Sequence, residues 1–154
     1  MPNSDDLLVF VDDTERALRE HLAEALAPEG CSVSEWLVLR ELHRAEGLTM
    51  SELADRLRLR APTTTKIIDR LEANNMAYRR LDPADRRRVR LHLSPRGRTV
   101  HATLAAVVAR ADAQRFGEDD LGQLARASAV VLAALDRRGR PVVGDTADTG
   151  AWHD

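Results

Sequence analysis

The chain has 154 residues, of which 44% are hydrophobic, 31% charged and only 3% aromatic. That is enough sequence for one domain with a buried core, and the abundance of Ala, Leu, Arg and Glu favours helices. The lone cysteine, Cys31, excludes an internal disulfide and a thiolate metal cage, and fits a reducing cytoplasm. The net charge is −2, yet residues 51–100 hold 13 basic side chains against 6 acidic ones, the layout of an anion-binding module set into an acidic scaffold.

At the amino terminus, "MPNSDDLLVFVDD" places a short apolar run between acids, so it is not read as a signal peptide. Nothing elsewhere approaches the roughly 18–20 apolar residues of a membrane span, and a soluble protein is expected. Leu7, Leu8, Val11, Leu18, Leu22 and Leu26 recur at helical spacing behind the first-turn acids Asp5 and Asp6, which predicts a first helix over about 5–27, ended by "PEG". Ser32 and Glu35 form a capping box ahead of "WLVLRELHRA", a second helix to about residue 45 that Gly47 breaks. Thr49 and Glu52 repeat the device for a short third helix to about Leu57.

"APTTTKIIDRLEANN" reads as a fourth helix, with Pro62 in the first turn and Asn74 or Asn75 taking a left-handed exit. Two helices so closely spaced form a helix-turn-helix pattern. From Ala77 the period changes to two: "AYRRLD" and "VRLHLS" alternate around "PADRRR" and predict an antiparallel hairpin. Ser94 and Pro95 then open a fifth helix carried by Val100, Leu104, Val107, Val108 and Ala111. A break near Gly117 precedes a sixth, with Leu121, Leu124, Val131, Leu132 and Leu135, stopped by Gly139. The tail from 139 to 154 is expected to be disordered.

This order predicts a mainly α fold with a small β-hairpin: a winged helix-turn-helix over 31–95, flanked by dimerisation helices over 5–30 and 96–138. The stretch from Leu48 to Gly97 also resembles the DNA-binding core of the MarR family of bacterial regulators, joining "LTMSELA", "DRLE", "DPADRR" and "LSPRG" in the family's order and spacing. The resemblance implies a transcriptional regulator, not an enzyme, that binds double-stranded DNA as a homodimer. Asn75-Met76 stands where the family usually has Gly-Leu, a change expected to preserve the turn at a modest cost in stability.

On the fourth helix Thr64, Ile67, Ile68 and Leu71 form one stripe, the expected buried face. Thr63, Thr65, Lys66 and Arg70 lie outside it and are the candidate major-groove contacts; Lys66 is the only lysine in the chain. The hairpin tip is expected to reach the adjacent minor groove. There Arg87 is the candidate for insertion, Arg86 and Arg88 would hold phosphates, and Asp85, matching the family's Asp-x-Arg wing motif, would brace a neighbouring arginine. Arg90 alternates onto one strand face and suits a structural role. A solvated turn, or a basic surface that docks an acidic protein partner, is the competing reading of the arginine run.

Scattered histidines, no His-Glu-x-x-His, no Cys-x-x-Cys and no glycine-rich phosphate loop give no ground for catalysis, a metal or a cofactor. The resemblance further implies a small effector, often an aromatic or phenolic anion, held between the dimerisation helices and the winged domain. Trp36 and Arg40, one turn apart, are the candidate effector residues, with His21 facing them. As a core anchor and a surface ion-pair partner, Trp36 and Arg40 would be merely structural. Cys31 offers a thiol-based redox trigger instead, although its place before the second helix suits a small buried hydrophobe.

Overall fold

A computed structural model describes residue 1 and residues 3–136. The elements are α1 (Ser4–Leu26), a 3₁₀ turn (Ala27–Glu29), α2 (Val33–Arg44), α3 (Met50–Leu57), α4 (Ala61–Ala73), β1 (Ala77–Leu81), β2 (Val89–Leu93), α5 (Pro95–Arg115) and α6 (Asp120–Asp136). The expected stop at Gly139 and the tail beyond it lie outside the described residues. Residues 1–114 pack as one unit; a second begins at Arg115 and has α6 as its described helix.

Short polar side chains set the helix starts. Ser32 and Glu35 cap α2 reciprocally, at 3.2 Å from the Glu35 N–H to Ser32 Oγ and 2.9 Å from the Ser32 N–H to Glu35 Oε2. Thr49 and Glu52 do the same for α3, at 3.2 and 2.8 Å. The first helix starts slightly earlier than its acids suggested: Asn3 accepts from the N–H groups of Asp5 and Asp6, and Asp6 returns the bond, so an Asn/Asp pair serves as the capping box. Asn75 makes the left-handed exit after α4, with φ 55°. Arg58 adopts the same conformation after α3, with φ 51°, where no glycine or asparagine announced it. A bond from the Leu59 N–H to Ala54 O, 2.9 Å, closes that turn and brings the half-buried Leu59 back onto the core.

The core of the first unit gathers Trp36, Val38, Leu39 and Leu42 of α2, Leu53 of α3, Ile68 and Leu71 of α4, Leu91 and Leu93 of β2 and Leu104 of α5. β1 and β2 pair antiparallel from Ala77↔Leu93 to Leu81↔Val89. On β2, Leu91 and Leu93 are buried while Val89 is exposed. Leu91 also exchanges both backbone bonds with Leu48, at 2.7 and 3.2 Å, so the segment between α2 and α3 is stitched to the hairpin. One residue of pairing has no period to read, which is why the alternation did not reveal it.

Ser94 caps α5 by accepting from the Gly97 N–H at 2.9 Å, and its own N–H donates to Met76 O at 3.0 Å. The start of α5 thus lies directly on the backbone leaving α4. A Cβ on Gly97 would fall 1.9 Å from Met76 O. Because that obstacle is backbone, Gly97→Ala should destabilise the fold at the upper end of the roughly 1–3 kcal/mol typical of overpacking, read as a lower urea midpoint at unchanged slope.

Candidate nucleic-acid interface

Helix α4 is sorted by burial as its spacing predicted. Thr64, Ile68 and Leu71 are buried and Ile67 is half-buried, while Pro62, Thr63, Thr65, Lys66, Asp69 and Arg70 are exposed. Thr65 donates its hydroxyl proton to Ala61 O at 3.0 Å, leaving its methyl and its lone pairs for other contacts. Arg60 holds the cap position of α4, and its side chain makes no capping hydrogen bond. The first-turn N–H groups and the positive end of the helix therefore add to the cationic character of this face.

Arg70, exposed like the others, also has an ion-pair partner: its Nε lies 3.0 Å from Oε1 of Glu35, a buried carboxylate on α2. Asp69 and Glu72, further along α4, are both engaged by Arg79 of β1, the former at 3.0 Å. This clamp couples the fourth helix to the hairpin, and sequence reasoning missed it. The strand and helix periods that place Arg79 beside two carboxylates belong to different elements.

At the hairpin tip Arg86, Arg87 and Arg88 are all exposed. The loop beneath them is held by two aspartates with different duties. Asp82 is buried and accepts from Arg90 Nε at 2.6 Å and from the Ala84 N–H at 2.9 Å. The Arg90 guanidinium beside it holds its carboxyl below the usual range. Asp85 accepts from the Arg87 N–H at 3.0 Å. Asp85, whose short side chain reaches the N–H two residues on, thus holds its neighbour Arg87 through the backbone, while Asp82 holds the side chain of Arg90. Arg90 is structural, as its strand position suggested: beyond Asp82, its Nη1 donates to Gly47 O at 3.1 Å.

The three candidate effector residues each have partners within the first unit. Trp36 is buried and stacks on His101 of α5, with centroids 5.2 Å apart, and His101 stacks in turn on His43 at 4.0 Å. Arg40 sits 3.7 Å from Glu41, and its buried Nε finds no hydrogen-bond partner among the described residues. His21 approaches Asp112 of α5 at 2.8 Å. A cavity of about 400 Å³ opens elsewhere, between α2, α4 and α5, with Cys31, Glu35, Arg70, Thr103 and Leu104 in its lining. Burial first, then the nearby Glu35, pushes the Cys31 thiol up to about 11. It therefore stays protonated at neutral pH, which does not favour the redox reading.

A helix-turn-helix whose second helix exposes Thr63, Thr65 and Lys66, followed by a braced hairpin tipped with three arginines, defines a winged helix-turn-helix protein of the DNA-binding class. Residues 31–89 match the model of the MarR family. The chain is 35% identical over 101 residues to YsmB of Bacillus subtilis (strain 168), an uncharacterized HTH-type transcriptional regulator, covering 60% of this chain and 68% of YsmB. It is 28% identical to the HTH-type transcriptional repressor MdtR of the same organism, covering 63% of this chain and 65% of MdtR. In fold it is similar to CouR from Rhodococcus jostii RHA1 bound to p-coumaroyl-CoA, with a TM-score of 0.71 and 25% identity, covering 84% of this chain and 93% of CouR. The chain belongs to the MarR family, whose members are DNA-binding transcriptional regulators and not enzymes.

The ring column has a consequence for stability. Burial, then His43, Arg40 and Arg44, hold the His101 pKa below its ordinary 6.5. In the window between the two values the unfolded chain binds the extra proton, so the neutral ring's contribution is complete above 6.5 and is lost as pH falls below it. The denaturation midpoint should drop from pH 7.5 to pH 5.5 (about one unit either side of that value), and His101→Phe, which keeps a stacking ring, should reduce the drop.

Proposed function

We propose that this chain acts in the cytoplasm as a homodimeric repressor that binds a pseudo-palindromic operator and is released from it by a small ligand. The observation that carries the DNA reading is the wing, where three consecutive exposed arginines stand on a loop fixed from beneath by Asp82 and Asp85. A merely solvated turn would not require a buried carboxylate and a cross-strand guanidinium to hold its shape. In this reading Arg87 enters the minor groove, Arg86 and Arg88 hold phosphates, and Thr63, Thr65 and Lys66 meet the major groove. Arg70, tied to Glu35, serves the placement of α4 more than readout.

Dimerisation is supported by apolar surface within each unit. On α1, Leu8, Val9, Phe10 and Val11 are 69, 64, 65 and 55% exposed, and on α6 Val130, Leu132 and Leu135 are 68, 63 and 63% exposed. Contiguous apolar side chains at that exposure are costly in water and are removed by pairing with a second copy. A twofold dimer spaces its two recognition helices about one duplex turn apart, which dictates an inverted-repeat site. No helix among the described residues is long and apolar enough to cross a membrane, in keeping with action on DNA. Repression is supported by the likeness to the repressor MdtR, and the binding of a small ligand by the likeness to CouR, which is bound to p-coumaroyl-CoA.

Selection of duplexes from a random pool should enrich an inverted repeat; a pool that returns none would overturn the operator reading. On the selected duplex, Arg87→Ala should cost about 1–3 kcal/mol of affinity, and wild-type binding should weaken steeply as salt rises.

A further inference from the structure

The cavity between α2, α4 and α5 has an apolar wall that includes Leu39, Leu71, Met76, Val100 and Leu104, and a polar end where Glu35 meets Arg70. At about 400 Å³ it lies within the roughly 300–1,000 Å³ of small-molecule sites. We infer that it takes a hydrophobic organic monocation, an apolar body with an ammonium-type head, which seats its charge on Glu35 in place of Arg70. Binding itself needs nothing from the operator reading; only its effect on DNA rests on that reading.

Three observations select a cation. The first is charge: the lining carries two carboxylates, Glu29 and Glu35, against one guanidinium, Arg70, so an anion entering this recess meets net repulsion. The second is the direction of the polar groups. Asn74 Nδ2 donates to Arg70 O at 2.9 Å, Thr103 Oγ1 to Thr99 O and Thr99 Oγ1 to Pro95 O, each at 3.2 Å, and Cys31 Sγ to Ser32 O at 3.4 Å. With these protons on backbone carbonyls and the Arg70 Nε–H on Glu35, the donors left to a ligand are the second Asn74 amide proton and the Nη groups of Arg70, against the carboxylate oxygens of Glu29 and Glu35.

The third is the asymmetry of the ion pair. The Glu35 side chain is 9% exposed and is held by the N–H and O–H of Ser32 at 2.9 and 2.8 Å, whereas that of Arg70 is 63% exposed at the mouth. The carboxylate is a fixed part of the fold; the guanidinium can return to water at little cost. Leaving Glu35 without any cation is the expensive outcome, and a cation carrying its own apolar body avoids it while filling the cavity. Because Arg70 stands on α4 and Glu35 on α2, the exchange unties the recognition helix from the helix behind it. Operator affinity falls as a result, and bound operator weakens cation binding by the same factor.

Calorimetry on the full chain without DNA provides the test, comparing (1-naphthylmethyl)trimethylammonium with 1-naphthylacetate, which share a ring system and carry opposite charges. The ammonium should bind more tightly by roughly tenfold or more. Glu35→Gln keeps a residue competent for the capping box and should cost the ammonium a similar factor, whereas Arg70→Gln, which removes its competitor, should tighten it. Equal binding of the two probes, preference for the acetate, no binding, or an unchanged ammonium affinity in Glu35→Gln would overturn the assignment. Should that variant not fold, Arg70→Gln decides, because weaker or unchanged binding there contradicts displacement. Duplex binding is measured separately, so a protein that takes the ammonium but no duplex retains this site and loses the operator reading.

Discussion

The guanidinium of Arg90 holds together the parts that matter. It donates to Asp82 at the base of the wing and to the carbonyl of Gly47 at the entry to the helix-turn-helix, so one side chain fixes the hairpin tip relative to the helices beneath it. A β-hairpin alone is marginal in water. This one is stable because Leu91 and Leu93 enter the core and Leu48 pairs with Leu91, and it is aimed because Arg90 has a buried carboxylate to grip. With Arg90 removed, Asp82 would remain as a desolvated charge without its closest partner, a costly state.

The basic centre of the chain is divided between two tasks. Arg70, Arg79 and Arg90 are bound to carboxylates on neighbouring elements and act as fasteners between α2, α4 and the hairpin. Arg86, Arg87 and Arg88 stand exposed on the wing, and Lys66 stands exposed on α4. Fasteners of this kind contribute position more than stability, since half-exposed ion pairs are worth little in free energy. Position is what a groove-reading protein needs, because a recognition helix and a wing must meet one duplex together.

The helices, their caps and the hairpin were legible because each has a local signal. Ser32 with Glu35 and Thr49 with Glu52 are capping pairs three residues apart, and the alternation around 77–93 is a period of two. The family's Gly-Leu step could become Asn75-Met76 without losing the turn, since asparagine tolerates a φ of 55°. Less visible was the division of labour between Asp82 and Asp85: both lie in "DPAD", and only the folded loop shows which carboxylate faces inward. The ring stack of Trp36, His101 and His43 was also hidden, because His101 lies on a helix far along the chain.

By itself, then, the amino-acid order determined which segments become helix or strand, where they begin, and that positive charge collects between residues 51 and 100, because those properties depend on neighbours a few positions away. Which of those charges are spent inside the protein and which face outward was decided only by tertiary structure. Arg70 finds Glu35 across 35 positions and Arg90 finds Gly47 across 43, and no local spacing encodes such meetings. The cavity bounded by Glu35 and Arg70 has the same origin: it is space left where three helices fail to close, and space has no sequence motif.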